Sequence, residues 1–200
     1  MNETQWDKLL HVKTTGRDDS RADQYHYPYE PTPYSVLERL ANSGYITKKN
    51  MLVDYGCGKG RVEFFLSYQT RCKSIGIEYD ERIYKGASEN KRTAVSGGRT
   101  EFVLESAENY EVPDEADRFY FFNPFSVTLL RKVMSKIEES YYKRPRELLL
   151  FFYYPSDEYV AYLMTKGTVM FCDEIDCQDL FEGNHPREKI LVFEYTYFMQ

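Results

Sequence analysis

Histidine, cysteine and tryptophan are all scarce in this chain. Three histidines are scattered over 200 residues, and the four cysteines (Cys57, Cys72, Cys172 and Cys177) include no C-x-x-C pair. That pattern argues against a zinc site and against a disulfide scaffold, and predicts reduced thiols in a cytoplasmic protein. Long apolar runs are missing too. The longest, Leu148 to Tyr154, stops at Pro155 and falls far short of the ~20 residues of a membrane-spanning helix. Residues 1 to 8 are polar, without the apolar core of a secretory signal. Positive charge is outnumbered, since 26 Lys and Arg against 32 Asp and Glu give a net charge of −6. Broad nucleic-acid binding is therefore disfavoured, because phosphate affinity is built on Lys and Arg, although a local basic patch stays open.

What the chain has in quantity is aromatic surface. Nineteen Tyr, 13 Phe and one Trp make 16% of the residues, within an ordinary globular balance of 42% apolar and 29% charged. Most of these rings are expected in a core, while tyrosine also suits clefts and interfaces. The length suits one domain with an N-terminal arm, residues 1–30, followed by the domain proper, 31–200.

Everything is organised around Met51-Leu-Val-Asp-Tyr-Gly-Cys-Gly-Lys-Gly-Arg61. An apolar run ends on Asp54, glycines follow at 56, 58 and 60, and Val62, Phe65 and Leu66 then recur at helical spacing. A strand ending in a Gly-rich turn that opens a helix lets backbone approach a ligand closely and turns N–H groups towards it. Such a turn also serves merely to pack a helix tightly on a sheet. The dinucleotide fingerprint G-x-G-x-x-G fails, because Arg61 stands where its third glycine belongs. The Walker A loop fails because Lys59 is followed by Gly60 rather than Ser or Thr.

The stretch Asp54 to Gly60 resembles D-x-G-x-G-x-G, the first motif of the class I S-adenosylmethionine-dependent methyltransferases. The resemblance implies that S-adenosyl-L-methionine is the cofactor, that Asp54 orients its methionine end, and that Gly56, Gly58 and Gly60 pass beneath it. Lys73 to Glu78 reads as a second strand ending on an acid, 22 residues past Gly56 and near the ~20-residue offset of ribose-binding acids. By resemblance Glu78 takes the ribose and Tyr79 lies beside the adenine. The third strand leads into Ser106-Ala107, where many family members carry Asp-Ala. Ala107 is thus the expected adenine neighbour, with Glu105 or Glu108 replacing the missing acid.

Asn123-Pro124-Phe125 follows the fourth strand and resembles the Asn-Pro-Pro-Tyr/Phe motif of amino-directed methyltransferases, minus one proline. The resemblance gives Asn123 and Pro124 catalytic roles as acceptors from a target amino group, with Asn123 also near the cofactor and Phe125 packing on the substrate. A simple turn after a strand is the alternative for Asn-Pro. Ahead of the first strand, Thr32-Pro33 reads as a helix cap followed by Pro at the first helical position, with a Val36, Leu37, Leu40 stripe and a stop at Gly44. In the family such a helix lies across the cofactor's mouth. Tyr29 and Tyr34 are candidates to cover the methionine end or to contact substrate, or they pack the arm on the domain. The arm itself, with Tyr25-His-Tyr-Pro-Tyr29, is expected to carry little regular structure.

Ser126 can cap the helix ahead of a strand at 147–154, Ser156-Asp-Glu opens another helix with acids in its first turn, and 168–175 and 190–198 read as the last two strands. The last strand alternates, with Leu191, Phe193, Tyr195 and Tyr197 on one face and Glu194 and Thr196 on the other, as in a half-exposed antiparallel strand. Periodicity supports an α/β doubly wound sheet; the resemblance adds seven strands in the order 3-2-1-4-5-7-6, the last antiparallel. The function implied is methyl transfer to an amino nitrogen of a small molecule or protein side chain. A nucleic-acid adenine methyltransferase and a non-catalytic cofactor-binding protein are the alternatives.

Overall fold

The structure is a computed structural model and describes residues 1–16 and 30–196. Tyr29, the Tyr25–Tyr29 cluster and Tyr197 lie outside the described residues. Seven strands form a single sheet: β1 (Met51–Tyr55), β2 (Lys73–Glu78), β3 (Thr100–Leu104), β4 (Arg118–Phe121), β5 (Leu149–Tyr153), β6 (Val169–Asp176) and β7 (Lys189–Tyr195). Their order is β3-β2-β1-β4-β5-β7-β6, with β7 antiparallel to both of its neighbours. The remaining pairs are parallel. This is the expected methyltransferase topology. Among the described residues no helix is long and apolar enough to cross a membrane.

Strand residues alternate between two cores because side chains alternate across the pleat. Val53, Tyr55, Phe119, Phe121, Leu150 and Phe152 face α5 (Val127–Lys143) and α6 (Asp157–Thr165). Leu52, Tyr120, Phe151 and Tyr153 face α1 (Glu3–Leu10), α2 (Tyr34–Asn42) and α3 (Arg61–Gln69). α4 (Glu81–Thr93) packs over β3 and β2. The aromatic surplus is largely absorbed here. Tyr55, Phe121 and Phe152 stack in register across three strands, with centroids 5.2 and 4.7 Å apart. Ser126 and Ser156 cap α5 and α6 as the sequence implies, accepting from Leu129 and Tyr159 N–H groups.

The N-terminal segment departs from expectation. Its start is helical: α1 carries a reciprocal capping box between Asn2 and Gln5, and buries Trp6 and Leu10 one turn apart. Each such buried side chain contributes ~1.5–3 kcal/mol. Thr32 does not cap α2, because Pro33 occupies the cap. The Thr32 hydroxyl pairs with Tyr120 Oη at 3.0 Å, and the Glu3 carboxylate takes the Tyr34 N–H at 3.1 Å instead. β7 also differs from its expected half-exposed state. It lies between β5 and β6, so Ile190 and Val192 are as buried as Leu191 and Phe193. The half-exposed edge strand is β6, where Met170 and Phe171 face solvent.

Candidate functional site

β1 delivers Asp54 to the α3 side of the sheet, since it shares the parity of Leu52. The chain then turns through Gly56, Gly58 and Gly60 at φ of 80°, 58° and 85°, backbone that L side chains rarely adopt. Gly56 and Cys57 both donate N–H to Ile77 O, at 2.9 and 3.0 Å, which fastens the loop over the end of β2. Gly60 opens α3; a Cβ there would meet Phe102 at 2.5 Å and Phe64 at 2.8 Å.

Glu78 ends β2 and is 5% exposed. Its Oε2 accepts Gly58 N–H at 3.0 Å and its Oε1 accepts Asp80 N–H at 2.9 Å. Burial raises its carboxyl above the ordinary range, and the backbone N–H groups of Asp80, Gly58 and Tyr79 pull it back. Asp80 in turn caps α4 through the Arg82 and Ile83 N–H groups. Tyr79 is 38% exposed beside Glu78. At the exit of β3, Glu105 N–H donates to Glu78 O at 3.0 Å, the Ser106 hydroxyl donates to Glu108, and Ala107 is buried. Asp54, the glycines, Glu78, Tyr79 and the Ala107 loop thus share the carboxyl edge of β1, β2 and β3, where α/β sheets bind ligands.

Two residues in this edge were not singled out from sequence as functional, Arg61 and Glu63. Arg61 is 3% exposed, and it donates to Glu3, to Thr14 Oγ1 at 2.8 Å, to Thr15 Oγ1 at 3.1 Å and to Thr32 O at 3.2 Å. It ties residues 3–15 to the glycine loop. Glu63 is wholly buried on the same helix. Both of its carboxyl oxygens are buried without a hydrogen-bond partner, and the Asp54 carboxyl is the acid that acts on it most strongly. A signal did exist for both. A cation in the first turn of a helix opposes the macrodipole, and an acid beside Phe64, Phe65 and Leu66 sits among core residues.

Burial drives the electrostatics. It pushes Asp54 up to about 8, with the neighbouring Glu63 carboxyl pulling down and the Glu78 charge pushing up. Burial, with the Asp54 charge beside it, keeps Glu63 protonated well above the usual carboxylate range. Cys57 lies against the same carboxyl groups, and burial plus their charge holds its thiol protonated, so it is no nucleophile here.

Asn123 follows β4 at φ 40°. Its Nδ2 donates to Tyr154 O and its Oδ1 accepts Ser156 N–H at 3.1 Å, so the amide joins the β4 exit to the β5–α6 loop. Pro124 packs on Gly56. Phe122 meets Tyr153 at 4.7 Å, and Tyr154 stacks on His185 at 5.5 Å, so aromatic rings flank this loop.

Two expected substrate contacts are corrected. Phe125 is 3% exposed, packs edge-on to Phe121 and has its carbonyl bonded by Tyr159 Oη at 2.6 Å, so it belongs to the core. Tyr34 is 1% exposed, because its hydroxyl reaches inward to Asp7 at 2.6 Å and Arg61 lies 4.3 Å from its ring. It serves to dock the N-terminal helix rather than to cover a ligand.

No protein-family profile matches the chain. A stretch of 74 residues, 36% of this chain, is 31% identical to a protein-lysine N-methyltransferase of Saccharolobus islandicus (strain REY15A). It covers 46% of that protein, so the chain spans about half the length of the curated relative it matches. The Escherichia coli protein yhhF, a candidate methyltransferase, superposes with a TM-score of 0.65 at 16% identity, over 92% of this chain and 98% of its own. An RNA methyltransferase from Salinibacter ruber, crystallised with S-adenosyl-L-homocysteine, superposes with a TM-score of 0.54 at 17% identity, over 86% of this chain and 97% of its own. Identities this low speak for the fold alone.

Proposed function

We propose that this chain, which has the Rossmann-like fold of the class I S-adenosylmethionine-dependent methyltransferases, transfers a methyl group from S-adenosylmethionine to an amino nitrogen. The observation that carries this reading is the bond from Gly58 N–H to the Glu78 carboxylate. It locks the glycine loop to the acid that would grip a ribose, so both halves of a nucleoside site are preformed. The donor set fits the cofactor. The Glu78 carboxyl, oriented by backbone N–H groups, still has acceptor capacity to offer a ribose hydroxyl. Asp54 offers a carboxylate to an ammonium, and the exposed ring of Tyr79 offers a face to adenine.

Bound S-adenosylmethionine supplies a methyl group on a sulfonium, a leaving group good enough to need no metal. The protein's own task is then placement and exclusion of water. Asn123 and Pro124 stand at the carboxyl end of β4, where Asn123 fixes the β5–α6 loop and Pro124 bears on the glycine loop. Together they shape the cleft in which an acceptor nitrogen would be aimed. Phe122, Tyr154 and His185 suit an amine acceptor, because ring faces attract positive charge. The partial identity to a protein-lysine methyltransferase supports a protein amine over a small molecule.

One observation favours a second reading. Both ends of the Asn123 amide are engaged by the chain itself, as they would be in a cofactor-binding protein that transfers nothing. Two measurements test the proposal. Thermal shifts with S-adenosylmethionine, S-adenosylhomocysteine, NAD and ATP should show stabilisation by the first two alone, ~2.7 kcal/mol at 100 times Kd. Incubation of a cell extract with methyl-labelled cofactor should then label protein bands. Label in nucleic acid would move the acceptor class, and binding without any label would favour the second reading.

A further inference from the structure

Glu63 occupies the third position of α3, where an acid ordinarily reaches back to the cap N–H. Here Gly60 N–H is already taken by Cys57 O at 3.0 Å. The carboxyl turns instead towards the sheet, over Gly76, which pairs in register with Asp54. Gly76 makes this possible, since a Cβ there would stand 2.4 Å from Glu63 Oε1 and 2.6 Å from Cys57 Cβ. A wholly buried acid is thus accommodated beside the acid of the glycine loop. We propose that Glu63 is a positioning residue of the cofactor site: its otherwise unpartnered buried carboxyl hydrogen-bonds Asp54 and so fixes the direction in which the Asp54 carboxyl meets the cofactor's ammonium group. This rests on the methyltransferase reading given above.

The physical argument is that two adjacent buried carboxyls cannot both ionise. The other titratable groups acting on the pair are Glu78 from β2, Cys57 from the loop, Cys72 from the turn before β2 and Tyr120 from β4. None of these carries positive charge. An arriving ammonium therefore supplies the missing cation. With Glu63 remaining protonated, the proton released to solvent is that of Asp54, which burial holds up to about 8 in the free chain. Affinity should accordingly climb as pH rises towards about 8 and level off above it, by up to ~tenfold per unit for one proton.

The test is titration calorimetry of the full chain with S-adenosylhomocysteine at pH 6, 7 and 8, in buffers of different ionisation enthalpy. The wild type should release close to one proton at the lower pH values. Glu63→Gln keeps a donor for Asp54 and should bind within about threefold, with the same pH profile. Glu63→Leu removes the donor and should bind at least about tenfold more weakly at pH 7, its profile displaced to higher pH. Its stability should be unchanged or higher, because replacing a buried ionisable group by an apolar one of similar size is often neutral or stabilising. A merely structural Glu63 would leave affinity and profile alone. The inference is overturned if the Leu variant binds like the wild type, or if the Gln variant loses as much as tenfold; the Gln arm decides alone should the Leu variant not fold. Wild-type binding with no pH dependence sinks this inference only, whereas no binding at any pH sinks the methyltransferase reading with it.

Discussion

Pro124 lies against Gly56 so closely that a Cβ on the glycine would stand 2.5 Å from the Cβ of the proline. The loop leaving β1 and the loop leaving β4 are therefore in direct contact, and each limits where the other can go. Motifs separated by more than sixty residues in sequence become one wall.

Gly56→Ala should damage both loops. The residue sits at φ 80°, which costs an L residue ~1–2 kcal/mol, and the clash with Pro124 adds a further ~1–3 kcal/mol. Urea unfolding should show a loss of about 2–5 kcal/mol, and cofactor affinity should fall with it. A variant as stable as the wild type would mean the two loops separate freely.

Glu78→Gln should leave the fold intact and weaken S-adenosylhomocysteine binding by at least ~tenfold. The amide keeps one acceptor for the Gly58 and Asp80 N–H groups but loses charge-assisted bonds worth ~1.5–3 kcal/mol each. Calorimetry, with circular dichroism as the folding control, checks this. Unchanged affinity would reduce Glu78 to a brace for the glycine loop.

Asn123→Asp should separate the amide's two contacts. The carboxylate can still accept Ser156 N–H, but it faces the Tyr154 carbonyl with no proton to donate. A stability loss of ~1–3 kcal/mol is expected from the unmet carbonyl, together with a fall in kcat at unchanged cofactor Kd. Normal kcat would remove Asn123 from the acceptor side.

Stability should depend on pH through the buried carboxyl pair. Asp54 is raised to about 8 from an ordinary 3.8, so between those values the folded chain holds a proton that the unfolded chain has lost. Stability therefore declines as pH rises from about 4 to about 8 and this contribution is flat above. Asp54→Asn should flatten the decline and raise Tm at pH 8 relative to wild type, even as it weakens cofactor binding. Tm measured from pH 5 to 9 on both proteins checks the sign.

Arg61→Met should release the N-terminal segment. Glu3, Thr14, Thr15 and the Thr32 carbonyl lose their shared donor, and the half-exposed Glu3 carboxylate loses its cation. Limited proteolysis should then cut near α1 before the rest of the chain. Equal resistance would show that Trp6 and Leu10 hold the segment without Arg61.

Local chemistry determined a good deal of this molecule in advance. Alternating glycines after Asp54 permit a positive-φ turn, Ser126 and Ser156 cap the helices that follow them, and Lys73–Glu78 reads as a buried strand by its apolar residues. Those features depend on neighbours a few residues away. The rest depended on what lies across the sheet. Whether β7 is an edge or an interior strand is decided by where β6 docks, and nothing in its own alternation records that. Tyr34 and Phe125 look equally suited to a cleft or a core, and burial against Asp7 and Phe121 puts both inside. Arg61 and Glu63 are out of place by local rules, a cation at a helix start and an acid in a core run, but those rules do not say what either one meets. Only the packing of α1 and α2 over α3, and the space left by Gly76, turn one into a clamp and the other into the buried partner of Asp54.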